Sequence, residues 1–143
     1  MRLSNYSDYA LRVLMQAALR APELTTVDEV ASAFDISRNH LTKVVHDLAR
    51  HGFLTTRRGI GGGFTLGLPP QNIRLGDVVR LTESDDKVID CVSRSNVNCA
   101  LFPACRLKGA LAEASRAFFA VLDGYSLHDL VKQKREMRRL LNI

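Results

Sequence analysis

The 143-residue chain lacks any apolar run long enough to cross a membrane. Its first residues, Met1 to Tyr6, turn polar before an apolar stretch develops, so they do not read as a secretory signal. The expected compartment is the cytosol, with no membrane partner. Cysteine is scarce: there are three, and an odd number in a reducing compartment argues against a disulfide framework. No two cysteines stand two to four residues apart, the spacing that structural zinc commonly uses. Internal repeats and low-complexity segments are missing, as is a nucleotide-binding loop following a strand. With no length left for a sizeable substrate domain, these absences argue against an enzyme.

What is present fits one small domain with an appended element. Apolar residues make up 46% of the chain, ordinary for a globular protein, and the formal charge is +5. A basic balance permits a nucleic-acid partner, but the placement of the charge matters more than its sum.

Residues 4 to 20 read as a helix, with Tyr6, Tyr9, Ala10, Val13, Leu14 and Ala17 at three- and four-residue steps. Ser4 can cap its start, and Pro22 ends the segment. Asp8 lies in its early turns, where the helix dipole favours a carboxylate. Thr26 and Glu29 form a capping box that opens a short helix carrying Val30, Ala31 and Phe34. From Ser37, a second cap, a longer helix runs to about Arg50 with Leu41, Val44, Val45 and Leu48 inward, and Gly52 closes it. Two short helices in this order make either a generic helical hairpin or a helix-turn-helix. Two extended runs follow, Phe53 to Thr56 and Phe64 to Leu66, joined by a glycine-rich stretch from Arg57 to Gly63. A hairpin directly after a helix-turn-helix is the plan of a winged helix, and that order favours DNA binding.

Pro69-Pro70 marks a boundary. Residues 74 to 83 read as a helix facing inward through Leu75, Val78, Val79 and Thr82. The longest helix runs from about Ala104 to Asp123, with Leu107, Leu111, Ala114, Phe118 and Val121 on one stripe and Gly124 at its end. Ala110, Ala117, Phe119, Ala120 and Leu122 widen that stripe beyond what one small core needs, which suggests a second copy of the chain as partner. Leu127 to Val131 read as a last short helix. The basic tail from Lys132 to Arg139 is expected to fray. The fold class is thus mainly α with a small β-hairpin. It comprises a winged helix-turn-helix DNA-binding domain (1–70), a connecting helix and cysteine loop (71–103), and a dimerisation helix with its C-terminal tail (104–143).

The second helix of the helix-turn-helix offers Ser37, Arg38, Asn39, His40, Thr42, Lys43 and His46 outward. Its first turn is where such helices touch base edges, and Arg and Asn have bidentate options to guanine and adenine. Lys43 suits a phosphate, while His40 and His46 are equally at home as solvent-facing histidines. At the hairpin tip Arg57 and Arg58 add charge. Gly61 and Gly62, with Gly59 and Gly63, either let the backbone approach a phosphate or a narrow groove closely or simply make the turn.

All three cysteines lie between Cys91 and Cys105, with seven residues between Cys91 and Cys99 and five between Cys99 and Cys105. The stretch is rich in Ser and Asn, contains Pro103 and has no histidine. Gathering every thiol in one loop makes it a metal or cluster site, a redox switch in which Cys99 and Cys105 pair, or a coincidence. Thiolates suit zinc, copper(I) or an iron–sulfur cluster. A cluster normally takes four ligands and this loop supplies three, so the fourth comes from elsewhere or one iron stays open to small molecules.

The combination resembles the winged-helix iron–sulfur repressor family of bacteria, most closely its nitric-oxide-sensing branch. The matching pieces are Ser7-Asp8-Tyr9-Ala10-Leu11-Arg12, Ser37 to Val45, Arg58 to Gly63, Ile73 to Arg80, the three cysteines, and Pro103-Ala104-Cys105-Arg106-Leu107. They run in order over nearly the whole chain. The resemblance implies a homodimer crossed through the long helix. It implies one iron–sulfur cluster per protomer, 4Fe-4S rather than 2Fe-2S, held by Cys91, Cys99 and Cys105. In this branch an early-helix aspartate of the other protomer is the fourth ligand, and Asp8 occupies that place; its plainer role is that of a helix-dipole acid. The implied function is repression at a palindromic promoter site in double-stranded DNA, lifted when nitric oxide attacks the cluster and the recognition helices shift. The branch that regulates cluster biogenesis carries a histidine three residues after its last cysteine, where this chain has Lys108. The alternative on the same scaffold is an iron-responsive regulator, which shares the cysteine spacing but typically lacks the early aspartate and has a different recognition helix.

Overall fold

The computed structural model describes residues 3–83 and 99–143. Cys91 and the first part of the cysteine loop lie outside the described residues.

Helix α1 (Asn5–Arg20) starts as expected at Ser4, whose Oγ accepts from the Ser7 amide at 3.2 Å. Its buried side of Ala10, Val13, Leu14, Ala17, Ala18 and Leu19 forms the centre of the core. Helix α2 (Val27–Phe34) opens on the anticipated box: the Thr26 amide donates to Glu29 Oε2 at 2.7 Å and the Glu29 amide to Thr26 Oγ1 at 3.2 Å. Asp35 in the left-handed region (φ 53°) stops α2 and turns the chain into α3 (Arg38–Arg50). Ser37, read as a cap, makes no side-chain cap hydrogen bond; its side chain is solvent-exposed. The far end of α3 behaves as anticipated: Gly52 adopts φ +79°, a conformation in which glycine carries no Cβ penalty.

Strands β1 (Leu54–Arg57) and β2 (Gly63–Leu66) pair antiparallel, with Leu54 opposite Leu66 and Thr56 opposite Phe64. Thr25, just before α2, bridges the outer side of β2: its amide donates to Phe64 O at 2.9 Å and its carbonyl accepts from the Phe64 amide at 2.8 Å. The hairpin is therefore fastened to the helix-turn-helix by backbone bonds as well as through the buried Phe64 ring. A single bridging residue has no alternation, so no sequence pattern announces it.

Helix α4 (Leu75–Thr82) buries Leu75, Val78 and Val79. A 3-10 turn (Phe102–Ala104) leads into α5 (Arg106–Asp123), which begins later than Ala104 because the turn around Pro103 intervenes. Two short helices follow, α6 (Leu127–Leu130) and α7 (Lys134–Leu141). The expectation that the basic tail frays is not met. Met137, Leu141 and Ile143 pack against the core, and Arg138 donates to the Leu19 carbonyl at 3.4 Å. The charge of the segment hid its apolar side, because Met137 and Leu141 stand one helical turn apart.

Much of the stripe read on the long helix is left uncovered by the described residues of the protomer. Within α5 only Phe119 is buried, while Leu107 and Val121 are each 61% exposed. Phe119 docks α5 on α4 beneath the Arg80 guanidinium, whose carbon lies 4.6 Å from the ring centre. Arg80 also grips Asp123 with two bonds of 2.7 Å. Gly76 leaves the room this carboxylate needs, since a Cβ there would lie 1.8 Å from Asp123 Oδ1. Gly124 caps the helix in a right-handed conformation (φ −71°) and does not use glycine's left-handed freedom.

Candidate nucleic-acid interface and thiol site

The outward residues of α3 stand where the sequence puts them: Ser37, Arg38, Asn39, His40, Thr42, Lys43 and His46 are all exposed, and Leu41, Val44, Val45 and Leu48 are buried. Ser37 gives no side-chain cap to the first-turn N–H groups of α3, which form its positive dipole end. Arg57 and Arg58 are exposed at the hairpin. Gly59 (φ +96°) and Gly61 (φ +72°) shape the tip, and a Cβ on Gly62 would lie 2.4 Å from the Arg57 carbonyl oxygen. The turn itself therefore requires these glycines, and their number is no independent sign of a close backbone approach to DNA.

Contacts that sequence reasoning missed tie α3 to α1. The Tyr6 hydroxyl donates to Asp47 Oδ2. That bond, ahead of burial acting the other way, holds the Asp47 carboxyl below its ordinary value. Burial first, and then the bond to Asp47, push the Tyr6 hydroxyl well above the usual tyrosine range. Lys43 Nζ lies 5.8 Å from the centre of the Tyr6 ring, and the Tyr9 and His40 rings stack with centroids 6.1 Å apart. These partners lie on different helices, Tyr6 and Asp47 being 41 residues apart, so periodicity puts each on the right face without naming its partner.

Asp8 projects from the same helix. Its Oδ2 accepts from Arg12 Nε at 2.9 Å, and its side chain is half-exposed. The Arg12 guanidinium in turn lies 5.2 Å from the centre of the Phe34 ring at the end of α2. A carboxylate with one oxygen on Arg12 and its side chain open to solvent retains lone pairs for a further ligand.

Cys99 is an exposed free thiol and Cys105 a half-buried one, at either end of the turn that leads into α5. The turn is held by the Phe102 amide donating to Cys99 O and the Ala104 amide to Leu101 O, each at 3.0 Å. Among the described residues no three His, Cys, Asp or Glu side chains gather into a metal-sized group. Two unpaired thiols anchored by one compact turn fit soft-metal or cluster ligation. Asp8, Cys99 and Cys105 are not brought together within the protomer's described residues. Lys108 lies with Nζ 4.0 Å from the centre of the Phe102 ring, a contact in keeping with a cation and not with a metal ligand.

Where the cysteine loop leaves α4, Glu83 forms a further knot that the sequence did not reveal. Its Oε1 accepts from the Ser4 amide at 2.8 Å, the Ser4 hydroxyl at 2.9 Å and the Ser7 hydroxyl. Burial pushes this carboxyl up, but the bonds from Ser7 and Ser4 outweigh it and hold it below its ordinary value. No helix among the described residues is long and apolar enough to cross a membrane.

Comparison with known proteins agrees with this architecture. The chain is 44% identical to the HTH-type transcriptional regulator NsrR of Bacillus subtilis (strain 168), over 100% of this chain and 99% of that protein. Among solved structures it is similar to CymR, the global cysteine regulator of B. subtilis, with a TM-score of 0.75 at 22% identity, covering 93% of this chain and 98% of that one. It is equally similar to T. potens IscR, with a TM-score of 0.75 at 19% identity over 96% and 91% of the two chains. These two likenesses establish the shared winged-helix fold. The Rrf2 family model, described as an iron-dependent transcriptional regulator, matches residues 3–133. The chain therefore belongs to the Rrf2 family of transcriptional regulators, which are not enzymes.

Proposed function

We propose that this protein is a DNA-binding repressor whose iron–sulfur cluster senses nitric oxide. What carries the reading is the linkage through α1: the helix bearing Asp8 also holds the recognition helix through Tyr6–Asp47 and Tyr9–His40. A change at Asp8 thus has a packed route to the DNA-facing surface. Ser37, Arg38, Asn39 and His40 read bases in the major groove, Lys43 meets phosphate, and Arg57, Arg58 and the tip around Gly61 and Gly62 flank the duplex. Cys91, Cys99 and Cys105 of one protomer, with the partner subunit's Asp8, hold one cluster per protomer, of the 4Fe-4S type. When bound, that cluster supplies iron accessible to nitric oxide. The exposed apolar length of α5 forms the homodimer interface, so that two recognition helices address a palindromic promoter site.

The full sequence-level similarity to a regulator named NsrR supports this reading. The family description as iron-dependent favours one other reading on the same scaffold, a regulator that responds to iron supply. Operator binding by anaerobically purified protein separates the two. The proposal expects affinity to fall when nitric oxide is added at constant iron. Unchanged affinity with nitric oxide, together with release on chelation, supports the iron-responsive reading instead.

A further inference from the structure

The outward side of α3 is lined by cations and neutral polar groups, and an acid from another helix reaches into it. Asp28 Oδ1, in the first turn of α2, lies 2.7 Å from Arg38 Nε. Both side chains are mostly in solvent, 61% and 70% exposed, so the pair adds little to stability. Its consequence is orientation. An arginine presents its N–H donors in one rigid plane, and here the Nε edge is engaged by the carboxylate. That contact leaves the outer edge, formed by Nη1 and Nη2, for another acceptor. A donor pair of that spacing matches the N7 and O6 acceptors on the major-groove edge of guanine.

The backbone that carries Asp28 is held firmly. Asp28 lies between Thr26 and Glu29, whose reciprocal bonds of 2.7 and 3.2 Å fix the first turn of α2. The positive end of the helix also favours a carboxylate there. Its negative charge stands close to where a duplex would lie, so it opposes indiscriminate attraction to phosphates while it orients Arg38.

We propose that Asp28 is a specificity-determining positioning residue that presents Arg38 end-on to a guanine in the major groove. This rests on the reading of Arg38 as a base contact. The position one residue before Glu29, in a helix not itself expected to touch bases, gave no sequence signal for such a role.

The test uses the full-length protein, purified anaerobically. Its preferred duplex is first selected from random sequences, and each guanine is then replaced in turn by 7-deazaguanine, which lacks the N7 acceptor. Wild-type protein should lose about tenfold in affinity at one symmetry-related guanine. Arg38→Ala should abolish that loss. Asp28→Ala should reduce it to about threefold or less, while affinity for random duplex holds or rises. Circular dichroism should show both variants folded. If Arg38→Ala removes the guanine preference and Asp28→Ala leaves it intact, the positioning role is wrong and the base contact stands. If neither variant changes the preference, the contact by Arg38 fails, and the proposal with it. A uniform fall on all duplexes with Asp28→Ala would mark a merely structural role and also overturn it.

Discussion

Gln16 sits in the middle of α1 with no exposed surface, and among the described residues neither its Nε2 nor its Oε1 has a hydrogen-bond partner. A buried amide without partners carries a desolvation cost that an apolar side chain of similar shape does not. Gln16→Met is therefore expected to raise stability by about 1 kcal/mol, read as a higher midpoint in urea at unchanged slope. Gly62 is the opposite case. A Cβ there meets the backbone oxygens of Arg57 at 2.4 Å and Gly59 at 2.7 Å, so the hairpin tip must open to accept one. Gly62→Ala should cost roughly 1–3 kcal/mol, with faster amide exchange in β1 and β2 than in α1. Individual residues of this kind were the least legible in the sequence. A glutamine at a core position and a glycine in a run of glycines look unremarkable until their neighbours are known. Ser37 shows the converse, since its residue type promised a cap that its side chain does not make.

Elements were read more securely than their partners, because periodicity reports which side of a helix is apolar and nothing about what covers it. Helices α1 to α4, the hairpin and the outward set on α3 all follow from spacing and caps. The docking of α5 does not: the wide stripe through Leu107 and Val121 suggested a partner helix, but spacing singled out neither Phe119, the one buried residue of α5, nor Asp123, which Arg80 grips. The long-range knots were likewise out of reach, Glu83 to Ser4 and Ser7 being 79 and 76 residues apart. That knot has a pH signature. The folded state holds Glu83 below its ordinary value of 4.5, so its contribution is fully present above that value and is lost as pH falls through the lower, folded one. Glu83→Gln should flatten the stability curve on the acid side of about pH 4.5 and leave the neutral region lowered by a constant amount. Thermal unfolding at stepped pH reads both. Wild type and variant losing stability in parallel below pH 4.5 would remove Glu83 as the source.

At the scale of the whole molecule, the unresolved balance is between what one protomer covers and what it leaves bare. Helix α5 has 18 residues and buries only Phe119, with Leu107 and Val121 61% exposed near opposite ends. Scattered exposed apolar side chains are common, but a line of them along one long helix marks an interface. Were α5 a spur held only by Arg80, Asp123 and Phe119, acids along that line would be harmless. If it is the seam of a two-fold dimer, each substitution enters the interface twice and brings like charges together. The double variant Leu107→Glu, Val121→Glu should therefore be monomeric by light scattering, with its circular dichroism intact because neither side chain is part of the protomer's core. It should also lose cooperative binding to a palindromic duplex while keeping weak binding to a half-site, since each winged helix is complete within one chain. Ligands drawn from both protomers would make cluster retention fall with dimerisation, so the iron and sulfide content of the anaerobically purified variant should drop as well. A dimer that persists through both substitutions would place the seam elsewhere, and full cluster retention in a monomer would take the partner subunit's Asp8 out of the site.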